Sequence, residues 1–80
     1  MSYVKLYGYG ACKEIVDNIP DKTATHYTVE DGLYHSVDFI SVYNNDDKEW
    51  YDSDYASESD LECDYKQIIN LNTLKNEIEY

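Results

Sequence analysis

The chain contains no arginine. Its six basic residues are all lysine, and seventeen carboxylates stand against them, for a net charge of −11. Phosphate contacts are made largely by Arg and Lys, so this balance argues against direct binding to nucleic acid or to an anionic membrane surface. Glycine is scarce, at three, and there is one proline, which excludes a low-complexity tail. The only two cysteines, Cys12 and Cys63, are fifty-one positions apart and lack the density of a secreted disulfide scaffold. No apolar run approaches the ~20 residues that span a bilayer, and no charged-then-apolar leader opens the chain. The expected location is the cytoplasm, with reduced thiols. There is no P-loop, no dinucleotide glycine pattern and no nucleophile elbow, so no enzymatic role is expected.

What is present is acid, unevenly placed. Between Asp46 and Asp64 lie nine carboxylates: Asp46, Asp47, Glu49, Asp52, Asp54, Glu58, Asp60, Glu62 and Asp64. Lys48 alone opposes them, so these nineteen residues carry −8 of the net −11. Like charges packed this closely repel, and solubility does not demand it. Aromatic residues are set into the same stretch: Trp50, Tyr51 and Tyr55. The chain has ten tyrosines in 80 residues. Tyrosine offers a large ring and a hydroxyl, which suits half-exposed sheet faces and interfaces. Eighty residues make one domain, 1–80, with a thin core.

Local patterns give the elements. Ser2–Tyr7 alternates and reads as a strand that Gly8 and Gly10 end. Ala11–Asn18 has helical apolar spacing and is stopped by Pro20. Thr25–Glu30 alternates again. Asp31-Gly32 is a hairpin signal, and His26 and His35 flank it, so they could be cross-strand neighbours. Leu33–Tyr43 is the longest strand candidate, with Phe39 on a core face. Asn44–Asp47 is a turn cluster, and Lys48–Tyr51 returns as a short strand. Ser59 followed by Glu62 fits a capping box for a helix through Leu61, Tyr65, Ile68 and Ile69. Alternatively, Tyr65–Leu71 is a strand. Asn72–Tyr80 closes the chain with Leu74 and Ile78 on one helical stripe. The fold class is α+β: a small antiparallel β-sheet of three to five strands with one or two short helices on one face.

The acidic block admits two geometries. In an extended chain, acids two apart project to one side, roughly 6.7 Å from each other, a spacing on the scale of nucleic-acid phosphates. In a helix, Glu58/Glu62 and Asp60/Asp64 stack at i,i+4 and repel. Calcium would need an EF-hand loop. Starting from Asp52, Ala56, Ser57 and Cys63 fall where an acid, glycine and glutamate are required. Cys12, His26, His35 and Cys63 lack the close spacing of a zinc site. No metal or other cofactor is expected. Cys12 near a helix start reads as a small core residue, ahead of a thiol with lowered pKa. Of Trp50, Tyr51 and Tyr55, one is expected buried and two exposed.

With its acidic block, tyrosine-rich sheet and short length, the chain resembles a class of small acidic phage-type proteins that imitate nucleic acid. These are anti-CRISPR proteins, antirestriction proteins and uracil-DNA glycosylase inhibitors. The resemblance implies a stoichiometric inhibitor, monomeric or dimeric, that fills the basic groove of a host CRISPR effector, restriction enzyme or repair enzyme. Asp46–Asp64 would meet the target's lysines and arginines, and Trp50, Tyr51 and Tyr55 would anchor. The rival expectation is an antitoxin-like or transcription-modulating module that binds through a sheet edge.

Overall fold

The structure, a computed structural model, describes residues 2–78. Among them are four short helices and one five-stranded antiparallel sheet. In chain order these are α1 (Tyr3–Tyr7), α2 (Tyr9–Asp17), β1 (His26–Thr28), β2 (Leu33–Ser36), β3 (Ser41–Asn44), β4 (Glu49–Asp52), α3 (Glu58–Asp64), β5 (Ile68–Asn70) and α4 (Leu71–Ile78). The sheet order is β4-β3-β2-β1-β5. The fold is α+β as the patterning implies, with more helices than the one or two expected.

Ser2–Tyr7 is helix, not strand. Alternation is a weak signal over six residues, and tertiary hydrogen bonds decide the outcome. Ser2 Oγ accepts from Lys5 N at 3.2 Å, a normal N-cap. The Glu77 carboxylate then accepts from Tyr3 N at 3.2 Å, Val4 N at 3.1 Å and the Ser2 hydroxyl at 2.9 Å. An anion over a helix start satisfies its orphan N–H groups and favours its dipole. Those bonds lower the Glu77 pKa, the Val4 N–H contributing most. Gly8 joins α1 to α2 at φ +92°, a conformation that disfavours any side chain. The second helix starts at Tyr9, two residues earlier than the apolar spacing suggests.

Thr25–Glu30 supplies β1, and the Asp31-Gly32 turn leads into β2 with His26 opposite His35. The long strand over Leu33–Tyr43 does not exist. The chain reverses between Ser36 and Ser41, giving β2 and β3. Val37 N is drawn to Thr25 Oγ1 at 3.0 Å, and Ile40 takes φ +51° with its carbonyl held by Ser53 N at 2.9 Å. Phe39 stands at this turn, 67% exposed, and is no part of the core. Asn44–Asp47 turns as expected, Asn44 Oδ1 accepting from the Asp46 and Asp47 amides. The return strand is β4.

The helix of the acidic block is capped two residues earlier than the Ser59/Glu62 reading. Ser57 is the N-cap and accepts from Asp60 N. Asp60 reaches back to Ala56 N at 2.9 Å. The helix ends at Asp64, and β5 follows, so each alternative for this region holds in part. Leu74 and Ile78 lie on α4, while Glu79 and Tyr80 lie outside the described residues.

Cross-strand register sorts the sheet into two faces. Tyr27, Tyr34, Tyr43, Trp50 and Ile69 share one face, under α1, α2 and α4. The core lies there: Cys12, Ala24, Tyr34, Ile69, Leu71 and Leu74 are buried, with Cys12, Ile69 and Leu74 fully so. Burial pushes the Cys12 thiol up, with Glu77 adding to it, which is the opposite of an activated cysteine. His26, His35, Val42 and Tyr51 share the second face. The acidic helix α3 and its flanks cover part of that face.

Candidate acidic interface over the second sheet face

The second face is polar where α3 meets it. His26 and His35 are 5% and 1% exposed, and Thr28 is fully buried between flanking strands. His26 Nε2 meets Glu58 Oε1 at 2.9 Å, and its Nδ1 meets Thr25 Oγ1 at 2.8 Å. His35 Nε2 lies 3.1 Å from Thr28 Oγ1, which donates to Asp31. Tyr65 donates to the other Asp31 oxygen at 2.6 Å. The rings of Tyr55 and Tyr65 stand edge-on to His35, with centroids 5.6 and 5.8 Å away. Leu61, fully buried, is the apolar peg of α3. This layer fixes the helix by packing and by charge-assisted hydrogen bonds.

Burial pushes the His35 imidazole below its ordinary pKa, and His26 adds to this while Asp31 opposes it. His35 Nδ1 has no hydrogen-bond partner among the described residues. A cation there would be poorly solvated, so the ring is held neutral. The Tyr65 hydroxyl is pushed up, chiefly by its bond to Asp31, and the Tyr55 hydroxyl rises through its bond to Asp64.

The nine carboxylates of the acidic block divide into two sets. Four are occupied within the chain. Asp47 accepts from the Tyr51 hydroxyl, Glu58 pairs with His26, Asp60 holds Ala56 N, and Asp64 accepts from Tyr55 at 2.6 Å. Asp46, Glu49, Asp52, Asp54 and Glu62 are exposed, and their carboxylates meet no donor among the described residues. Asp46 and Asp47 sit in the β3–β4 turn, Glu49 and Asp52 on β4, Asp54 in the loop after it, and Glu58, Asp60, Glu62 and Asp64 on α3. The block is therefore not one extended strip. Its latter half is helical, with Glu58/Glu62 and Asp60/Asp64 stacked at i,i+4 and no base in the last turn to offset them.

The expected anchors also divide. Tyr51 is 43% exposed on the edge strand. Trp50 is half-buried on the helical face, where Nε1 donates to Asp21 Oδ2 at 3.0 Å and the ring meets Tyr43 edge-on at 5.2 Å. Tyr55 is half-buried against His35. None of the three is buried: two are half-buried and one is exposed, so the expected division into one buried and two exposed does not hold. Sequence reading missed Glu30 and Glu77, two further acids that serve the fold. Glu30 accepts from Lys66 N at 2.6 Å and Gln67 N at 3.1 Å, which lowers its pKa, the Lys66 bond first. Its partners, like those of Glu58 and Glu77, lie more than thirty positions away, so no local pattern marks them.

Among the described residues, no group of three His, Cys, Asp or Glu side chains is placed to hold a metal ion. No helix among them is long and apolar enough to cross a membrane. No protein-family model matches the chain, and neither curated proteins nor solved structures show a relative.

Proposed function

We propose that this chain is a stoichiometric inhibitor of a basic nucleic-acid-binding protein of host defence or repair, acting by charge mimicry in the cytoplasm. The target class is a CRISPR effector, a restriction enzyme or a repair enzyme. One observation carries the reading: five carboxylates, Asp46, Glu49, Asp52, Asp54 and Glu62, are exposed with no donor among the described residues, on a frame that is already folded. Leu61, the Ser57 cap and the Glu58–His26 pair hold α3 before any partner arrives. A preordered anionic surface loses little entropy on binding and is complementary to a lysine- and arginine-lined groove.

A sheet-edge module would have to use β4 or β5, the outer strands. Glu49 and Asp52 place charge on β4, and charge on an edge opposes strand addition. The β5 strand offers three residues. The acidic surface is therefore the better-supported reading.

Affinity capture from a bacterial lysate, washed at two salt concentrations, identifies the target. A variant with Asp46, Glu49, Asp52, Asp54 and Glu62 changed to Asn or Gln then loses the captured protein and its inhibition. Retention of both by that folded variant would sink the proposal.

A further inference from the structure

A groove of about 570 Å³ runs across the opposite face of the sheet, between α2 and the β3–β4 turn. Its walls are unusually aromatic. Tyr27, Tyr34 and Tyr43 come from three neighbouring strands on one face, and Tyr7 closes the groove from α1. Tyr34 is the buried floor, its hydroxyl donating to Ile15 O at 2.5 Å, and its ring packs 4.8 Å from that of Tyr27. Tyr7, Tyr27 and Tyr43 are half-buried and line the groove. Two opposite charges line the same groove. Glu14 stands on the α2 side, exposed, its carboxylate meeting no donor among the described residues, and Lys48 stands at the turn.

We propose that this groove is a binding site for a cationic side chain, an arginine guanidinium or lysine ammonium presented by a protein partner. Tyrosine faces attract cations through the ring quadrupole, and guanidinium stacks on them best. Glu14 supplies the counter-charge, and the chain's net −11 concentrates cations around it. Glu14 is near enough to help raise the Tyr27 and Tyr34 hydroxyls, behind burial and, respectively, Asp31 and Tyr27. Lys48 would favour the contrary occupant, an anion such as a nucleotide phosphate. The field of the whole molecule and the aromatic walls decide for the cation. The inference rests on the proposed basic partner for the source of that side chain, and its test does not need the partner.

The test is an NMR titration of the full chain with a blocked Gly-Arg-Gly peptide, and with its citrulline counterpart, which keeps the shape and removes the charge. Arginine should shift the Tyr7, Tyr27 and Tyr43 ring signals saturably, and citrulline should not. Glu14→Gln should weaken binding about two- to fivefold, as loss of an exposed ion pair does, and Lys48→Gln should strengthen it. Both residues are exposed, so both variants keep the fold. Equal shifts with citrulline, shifts confined to α3 or β4, no saturable shift, or the reverse order of the two variants would each overturn the site. Shifts confined to the acidic surface would do so while leaving charge mimicry standing.

Discussion

Leu61→Ala should remove the peg that holds the acidic helix. Leu61 is fully buried, the only buried residue of α3, and lies outside the main core cluster. Truncating a buried leucine costs the transfer of the lost methyl groups plus the cavity they leave, about 2–5 kcal/mol across sites. The layer between α3 and the sheet is thin and solvent-flanked, so it can collapse further than a deep core, and about 2–3 kcal/mol is expected. A domain of this size has roughly 4–12 kcal/mol in total, at 0.05–0.15 kcal/mol per residue. The fold should survive with a lower midpoint. Urea unfolding followed by Trp50 fluorescence gives the global loss. Hydrogen exchange should show the Leu61–Tyr65 amides losing protection more than the β1 and β2 amides. A change under about 0.5 kcal/mol, the range of ordinary surface substitutions, would refute the packing of α3 on the sheet.

Phe39→Ala should change stability by less than about 0.5 kcal/mol, because the ring is solvent-exposed at the β2–β3 turn, and the same urea assay checks it. Neutralising Asp46, Glu49, Asp52, Asp54 and Glu62 together should hold or raise the melting temperature by relieving repulsion. Glu58→Gln should lower stability by about 1 kcal/mol, because His26 keeps only a neutral partner there. If the two sets melt alike, the division of the block into free and structural acids is wrong. His35 is held neutral in the fold and is free to protonate when unfolded, so the unfolded state takes up the proton first as pH falls. Its contribution is present at neutral pH and lost as pH drops through about 6.5, the ordinary histidine value, towards its depressed folded value. Between pH 7.5 and 5.5, chosen as roughly one unit either side of that value, the parent should lose stability faster than His35→Gln. Equal slopes would contradict a buried neutral ring.

The sequence disclosed several elements through a turn residue or a period. The Asp31-Gly32 hairpin, the Asn44–Asp47 turn and the Leu74/Ile78 stripe are local signals, and each is realised. The failures share one physical cause, which is a partner distant in sequence. Ser2–Tyr7 alternates like a strand, yet Glu77 and Ser2 satisfy its first amides as a helix. Leu33–Tyr43 is β-rich throughout and contains no glycine or proline, so nothing announced a reversal that places the β-branched Ile40 at φ +51°. Ser57 and Ser59 both precede an acid by three positions, and it is Ser57 that caps the helix, accepting from Asp60 N. Charge density located the acidic surface. It did not distinguish Glu58, Asp60 and Asp64, which serve the fold, from Glu62 beside them, which faces solvent.

The most direct test of charge mimicry is displacement of DNA or guide RNA from the purified target, titrated with the chain across a range of salt. Charge mimicry requires mutually exclusive binding, with an apparent affinity that falls steeply as salt rises because exposed ion pairs are screened. A ternary complex at full occupancy of both ligands, or an affinity indifferent to salt, would contradict it.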